Sequence, residues 1–197
     1  CVDRAAVGCL LRFGWGMRMD DFALTHPEAY DEERLRLYEA DFTPRPVVRQ
    51  CLTYAYAFRG FNGDPEHAID PAAGAGVWAK EMSRKWPSCS ITAVEKREEE
   101  REAIGYRVDT VVIGDAIEYA QSCDAGLFDL AATNPPFSLF RQYADEYLRV
   151  CRDVWLFAPI DANVRGEEPS EWLRDNAKWV RGCLWVPGGI GFRGPGK

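Results

Sequence analysis

From residue 67 to residue 186 short apolar runs alternate with helix-forming segments, and this alternation limits the fold more than any other feature of the chain. The runs His67–Asp70, Ser90–Glu95, 107–113, Phe128–Thr133, 153–160 and 179–186 have strand length and are mostly apolar. Between them, residues 77–86, 97–105, Ala116–Ser122, 139–150 and 170–177 have helical composition. Strands covered on both faces read as continuous apolar runs, and strands joined by helices build a parallel sheet through right-handed crossovers. The pattern predicts an α/β fold, a doubly wound sheet with helices on both faces.

Composition narrows the classes further. With 197 residues, 47% hydrophobic and 28% charged, the chain has the balance of one ordinary globular domain, not of collagen, a disordered tail or a coiled coil. No run approaches the ~18–20 uninterrupted apolar residues of a membrane span, so no membrane partner is expected. A formal net charge of −7 means that any nucleic-acid contact must use a local basic patch. Arg4, Arg12, Arg18, Arg45, Arg49, Arg141 and Arg193 are candidates for one, though scattered arginines are more often plain surface. Seven cysteines are spread without a C-x-x-C pair, as reduced thiols packed like small core residues would be, which points to a cytoplasmic protein. The two histidines, His26 and His67, lack ligand-spaced partners, so no metal site is expected.

Ahead of the alternating region, residues 28–40 read as a strongly acidic helix. Met17 and Met19 are natural translation starts, so the first sixteen residues read as upstream sequence, and residues 1–40 together as an N-terminal extension of a domain spanning 41–197. Val47, Val48, Cys51, Leu52, Ala55 and Phe58 fall on one helical stripe behind Thr43-Pro44-Arg45-Pro46, and a proline near the first turn suits a helix start. The Gly- and Pro-rich end, residues 186–197, stops without a closing element and reads as a truncated C-terminus.

In such a sheet ligands bind beyond the carboxyl ends of the strands. The first strand runs into Asp70-Pro71-Ala72-Ala73-Gly74-Ala75-Gly76, where small residues let backbone approach a nucleoside or amino acid, or simply make a tight turn. Glu95, about twenty residues after the glycines, either accepts both hydroxyls of a ribose or opens the charged helix face that follows it. Asp115 caps the next helix, bonds an adenine amino group, or does both. The fourth strand ends in Asn134-Pro135-Pro136-Phe137. Two prolines there freeze the backbone and fix its carbonyls. A carboxamide oxygen beside a fixed carbonyl makes a pair of acceptors for one planar NH2 group, and Phe137 offers a stacking face for a base.

Asp70–Gly76 followed by Glu95, Asp115 and Asn134–Phe137 resembles the class I S-adenosylmethionine-dependent methyltransferases. Within them N-P-P-F is similar to the motif of amino-group methylators, chiefly DNA adenine-N6 methyltransferases, and Phe42-Thr43-Pro44 with Val47-Val48 resembles the T-P-x-x-V-V segment of many of these. The resemblance covers about residues 41–186, most of the chain. It implies a Rossmann-like methyltransferase sheet whose final strand hairpin is incomplete here, and S-adenosyl-L-methionine as cofactor. Asp70, Ala72, Gly74 and Gly76 would hold its methionine part under Thr43 and Pro44, with Glu95 on the ribose and Asp115 and Ala116 on the adenine. Asn134 and the Pro135 carbonyl, fixed by Pro136, would receive the N6 hydrogens of an adenine flipped out of duplex DNA and held by Phe137. Catalysis would rest on positioning and electrostatics. RNA or a protein glutamine as acceptor, and a non-catalytic binding subunit, are the alternatives; oligomeric state is left open. A nicotinamide oxidoreductase fits less well, since the third glycine of its phosphate loop is missing.

Overall fold

The computed structural model describes residues 6–13, 43, 45–58, 63–105, 108–159 and 180–187. Seven strands, β1 (Ala6–Phe13), β2 (His67–Asp70), β3 (Ser90–Glu95), β4 (Thr110–Ile113), β5 (Phe128–Thr133), β6 (Cys151–Pro159) and β7 (Val180–Pro187), form one sheet in the order β4-β3-β2-β5-β6-β1-β7. Every neighbouring pair is parallel. The helices are α1 (Arg45–Phe58), α2 (Val77–Lys85), α3 (Arg101–Gly105), α4 (Ala116–Ser122) and α5 (Phe140–Val150). None of the described helices is long and apolar enough to cross a membrane.

The strands alternate their side chains between two cores, as a pleated strand must. Ile91, Ala93, Leu130, Ala132, Trp155 and Phe157 face a cluster with α1, α2 and Ile104 of α3. Ile69, Val94, Ala131, Val154 and Leu156 face the other, with α4 and α5. Helices thus cover both faces, as the alternation of the sequence requires. In α1 the predicted stripe is buried at Val47, Val48, Cys51, Leu52 and Ala55. Fully burying side chains such as Val48 and Leu52 contributes roughly 1.5–3 kcal/mol each.

Three features differ from the sequence expectation. Ala6–Phe13, read as part of an extension, is a strand of the same sheet, with Leu10 registered on Phe157 of β6 and on Leu184 of β7. An eight-residue run such as AVGCLLRF is shaped for cover on both sides, but nothing local in it specifies which strands will pair with it. As a result β7 closes on β1 in parallel, and no terminal hairpin occurs among the described residues. Second, the strand expected from residue 107 is described only from Thr110; Asp109 just before it is bonded to Ile91, its N–H to the carbonyl at 3.0 Å and its Oδ2 to the Ile91 N–H at 2.8 Å. Third, the helix expected from 97 begins as a 3-10 turn, Glu98–Glu100, because Arg97 is held extended (φ −93°, ψ 120°). The expected helices at 28–40 and 170–177, Pro44, the Phe137 ring and residues 188–197 lie outside the described residues.

Strand order reverses between β2 and β5, which opens a crevice above the carboxyl ends of those two strands. The loop after β2 carries the glycines, and the loop after β5 carries Asn134.

Candidate active site

The loop 71–76 is pinned from several sides. The Ala73 N–H donates to the Val94 carbonyl at 3.0 Å, the Gly76 N–H to the Ala73 carbonyl at 2.7 Å, and Lys80 Nζ to the Ala75 carbonyl at 2.8 Å. Gly74 and Gly76 have φ of 50° and 77°, the left-handed region where a side chain is strained. A Cβ on Gly76 would also stand 3.2 Å from the Ile104 Cα, so the loop lies tight on α3.

Asp70 is fully buried at the end of β2. Its Oδ1 accepts from Thr133 Oγ1 at 2.8 Å, and its Oδ2 from the Ala79 N–H at 3.1 Å. Gly76, the N-cap of α2, offers no side-chain cap, so Asp70 satisfies one of that helix's orphan N–H groups from a distance. Burial raises its carboxyl from 3.8 to about 7, against the hydrogen bonds from Thr133, Ala79 and Ala72, which favour the charged form. Glu95, buried at the end of β3, is equally engaged. Its Oε2 accepts from the Gly74 N–H at 2.8 Å, and its Oε1 from the Arg97 N–H and Nε, both at 3.0 Å. The side chain anticipated for a ribose therefore also anchors the glycine loop, and its grip on the Arg97 N–H starts the 3-10 turn.

Thr43 is buried and accepts a hydrogen bond from Trp78 Nε1 on α2 at 3.3 Å. Thr43, just before α1, is thereby tied to the first turn of α2, directly after the glycine loop. Asp115 follows β4 and does cap α4: its Oδ1 accepts from the Ile117 and Glu118 N–H groups at 2.9 and 3.2 Å. Its Oδ2 stands 3.7 Å from Lys96 Nζ. Ala116 is buried and Ala72 half-buried against the α4–α5 core.

After β5 the chain enters Asn134-Pro135-Pro136 and a 3-10 turn, Phe137–Leu139, before α5. Asn134 and Pro135 are buried and Pro136 is half-buried. The Pro136 carbonyl accepts from the Leu139 N–H at 2.9 Å, which locks the turn. The Asn134 Oδ1 is buried and has no hydrogen-bond partner among the described residues. A buried acceptor left unmade costs ~1–3 kcal/mol, so this oxygen is the position in the loop that calls for a donor beyond the described residues.

Three residues that sequence reasoning passed over join these loops. Trp78 holds Thr43. Tyr147 Oη donates to the Ala116 carbonyl at 2.8 Å, and Tyr143, stacked on Tyr147 at 5.8 Å, donates to the Pro71 carbonyl at 3.5 Å. Helix α5, which carries the Asn-Pro-Pro-Phe loop at its start, is thus bonded to both of the other loops. Two tyrosines four residues apart directly behind that motif are the signal that was available.

No protein-family model matches this chain, and no curated protein does. Solved structures do match. The plantazolicin methyltransferase BpumL, in complex with a monoazolic desmethylPZN analogue and SAH (S-adenosylhomocysteine), superposes with a TM-score of 0.53 at 16% identity, over 82% of this chain and 69% of that one. The same enzyme with SAH alone gives 0.52 at 18% identity, over 77% and 65%. A protein from Pyrococcus horikoshii described as an RNA methyltransferase gives 0.51 at 15% identity, over 73% and 71%. The α/β sheet described above is thus a Rossmann-like methyltransferase fold.

Proposed function

We propose that this protein transfers a methyl group from S-adenosylmethionine to the N6 amino group of adenine in DNA. The observation that carries the proposal is the buried Oδ1 of Asn134, without a partner among the described residues and directly before two prolines at the switch point of a methyltransferase fold. The BpumL structures, which share this fold, hold SAH, the demethylated form of that cofactor.

The residues fit the cofactor by their chemistry. The loop of Ala72, Gly74 and Gly76 follows the buried Asp70, and Thr43, which Pro44 follows in sequence, is bonded to Trp78 just beyond that loop. Glu95 accepts three hydrogen bonds, fewer than the roughly four a carboxylate can take, which leaves capacity for a ribose hydroxyl. Asp115 spends Oδ1 on its cap; Oδ2, 3.7 Å from the exposed Lys96 ammonium and beside Ala116, is the oxygen that would meet an adenine amino group. S-adenosylmethionine, when bound, supplies an electrophilic methyl group on a positively charged sulfur.

The chain's own part is orientation. The amino nitrogen of adenine is conjugated with its ring, which withdraws the lone pair. Asn134 Oδ1 and the Pro135 carbonyl, accepting one N–H each, favour a tetrahedral nitrogen whose lone pair is directed away from the ring. Both acceptors are fixed beforehand, Asn134 by burial and Pro135 by the following Pro136, so no reorganisation accompanies the reaction. Phe137 would hold the extruded base by stacking.

The test is methyl transfer from labelled S-adenosylmethionine with unmethylated duplex DNA, RNA and a protein extract as parallel acceptors, each product digested to its units. Label recovered as N6-methyladenine nucleoside from DNA is the expected result. Label in RNA or in glutamine would keep the amino-group chemistry and replace the acceptor. Label in none of the three would refute the proposal.

A further inference from the structure

Helices α1 and α2 both start at the catalytic end of the sheet and lie side by side on the same face. The start of α1 is placed there by the bond between Thr43 and Trp78, and the start of α2 by the glycine loop it follows. Where the two helices touch, Glu81 of α2 is buried, with 2% of its side chain exposed. Three guanidinium groups converge on it: Arg49 through Nε at 2.7 Å and Nη2 at 3.4 Å, Arg84 through Nη1, and Arg45 with Nε at 4.0 Å. Lys80 adds a fourth cation at the rim, spending one ammonium hydrogen on the Ala75 carbonyl of the glycine loop. Burial lowers the Lys80 pKa, and so does repulsion from Arg45 and Arg84, as crowded like charges should; Glu100 works against both. Glu100 is itself 3.6 Å from Arg97.

A carboxylate needs one arginine to be satisfied, and this one has three. Its two oxygens take up only a few of the fifteen N–H groups that three guanidiniums carry, and among the described residues most of the others have no acceptor, so they can meet another oxyanion. Arg45 and Arg49 remain 55% and 61% exposed; Arg49 is tethered to Glu81 by two hydrogen bonds, and Arg45 approaches it at 4.0 Å. Tethering removes much of the side-chain entropy that phosphate binding would otherwise cost. All this stands on a chain of net charge −7, so an excess of cations here is a local feature and no reflection of composition.

We infer that Arg45, Arg49, Lys80 and Arg84, organised around Glu81, form the surface that seats the phosphate backbone of the nucleic acid whose base enters the site. This rests on the reading of the protein as a nucleic-acid methyltransferase and adds where the strand lies: along α1 and α2, entering at the glycine-loop rim. Backbone contacts of this kind set register and affinity and carry no sequence information.

The test is binding of a fluorescent 20-base-pair DNA duplex, and of RNA of the same length, measured against salt concentration for the full chain, Arg45→Gln and Arg45→Glu. Arg45 is the residue to change because its 4.0 Å approach contributes least to holding Glu81. Each lost phosphate contact lowers the slope of log affinity against log salt by about 0.9, so Arg45→Gln should lose about that much and Arg45→Glu more, with melting temperatures near that of the parent. A slope unchanged in both variants, or no binding of either nucleic acid by the parent, would overturn the inference and leave the cluster as a structural ion network. The two claims separate cleanly. Methylation of adenine in DNA with an unchanged slope sinks the surface and spares the adenine reading. A reduced slope with label outside adenine sinks that reading and spares the surface.

Discussion

Asp70 and Asn134 stand at the ends of neighbouring strands, both buried, yet their polar atoms are treated in opposite ways. Both oxygens of Asp70 are bonded, to Thr133 and to the first turn of α2, and Glu95 beside it is bonded to the glycine loop and to Arg97. The Asn134 Oδ1 has no partner among the described residues. On the glycine-loop side all four carboxylate oxygens of Asp70 and Glu95 are bonded within the chain, which holds that loop in place. On the Asn-Pro-Pro side one acceptor has no donor among the described residues, at a cost of ~1–3 kcal/mol. Substitutions on the first side should therefore cost stability, and substitutions on the second should cost turnover.

The largest effect on stability is expected from Asp70→Ala, which orphans the Thr133 hydroxyl and the Ala79 N–H in a sealed site. Denaturant unfolding should show a loss of about 3–5 kcal/mol. A loss below about 1 kcal/mol would break the comparison at its saturated end.

Asp70 also gives the contrast a pH signature. Its carboxyl sits at about 7 in the folded protein against an ordinary 3.8, so the fold holds a proton that the unfolded chain has already released. From this group stability is greatest below about pH 4, falls as pH rises, and stops falling near pH 7. Unfolding midpoints measured from pH 4 to 8 should show that decline in the parent relative to Asp70→Asn. Parallel profiles would remove the buried, raised carboxyl from the account.

Gly76→Ala should lose about 2 kcal/mol, combining a left-handed φ of 77° with a Cβ placed 3.2 Å from the Ile104 Cα, and should weaken S-adenosylmethionine binding measured by calorimetry. Asp115→Ala, which removes a helix cap, should cost about 1 kcal/mol. Asp115→Ser would restore the cap without the carboxylate. If Ser recovers stability but not cofactor affinity, Asp115 has both roles; if it recovers both, Asp115 is a cap alone.

Much of this arrangement was legible in the sequence because it depends on local order. The apolar runs and the residues ending them are contiguous, so β2, β3, β5 and their terminal Asp70, Glu95 and Asn134 were found where they stand. What escaped depends on distant partners. Nothing in Ala6–Phe13 indicates that it pairs with strands more than a hundred residues away. Glu95 read as a ribose ligand, and its bond to the Gly74 N–H became visible only once β3 lay beside β2. Trp78, Tyr143 and Tyr147 look like core residues in sequence, and they are core residues; their polar atoms find loop backbone or Thr43 only in the assembled fold.

The central claim, that Asn134 presents an acceptor to the target amino group and does not build the site, is tested most directly by Asn134→Ala. Its S-adenosylmethionine affinity would be measured by calorimetry and its single-turnover methyl transfer on the acceptor identified for the parent. The expected result is a rate lower by ~10²–10³ with cofactor affinity within about twofold of the parent and no loss of melting temperature. Transfer at the parental rate, or a loss of cofactor binding that matches the loss of rate, would contradict it.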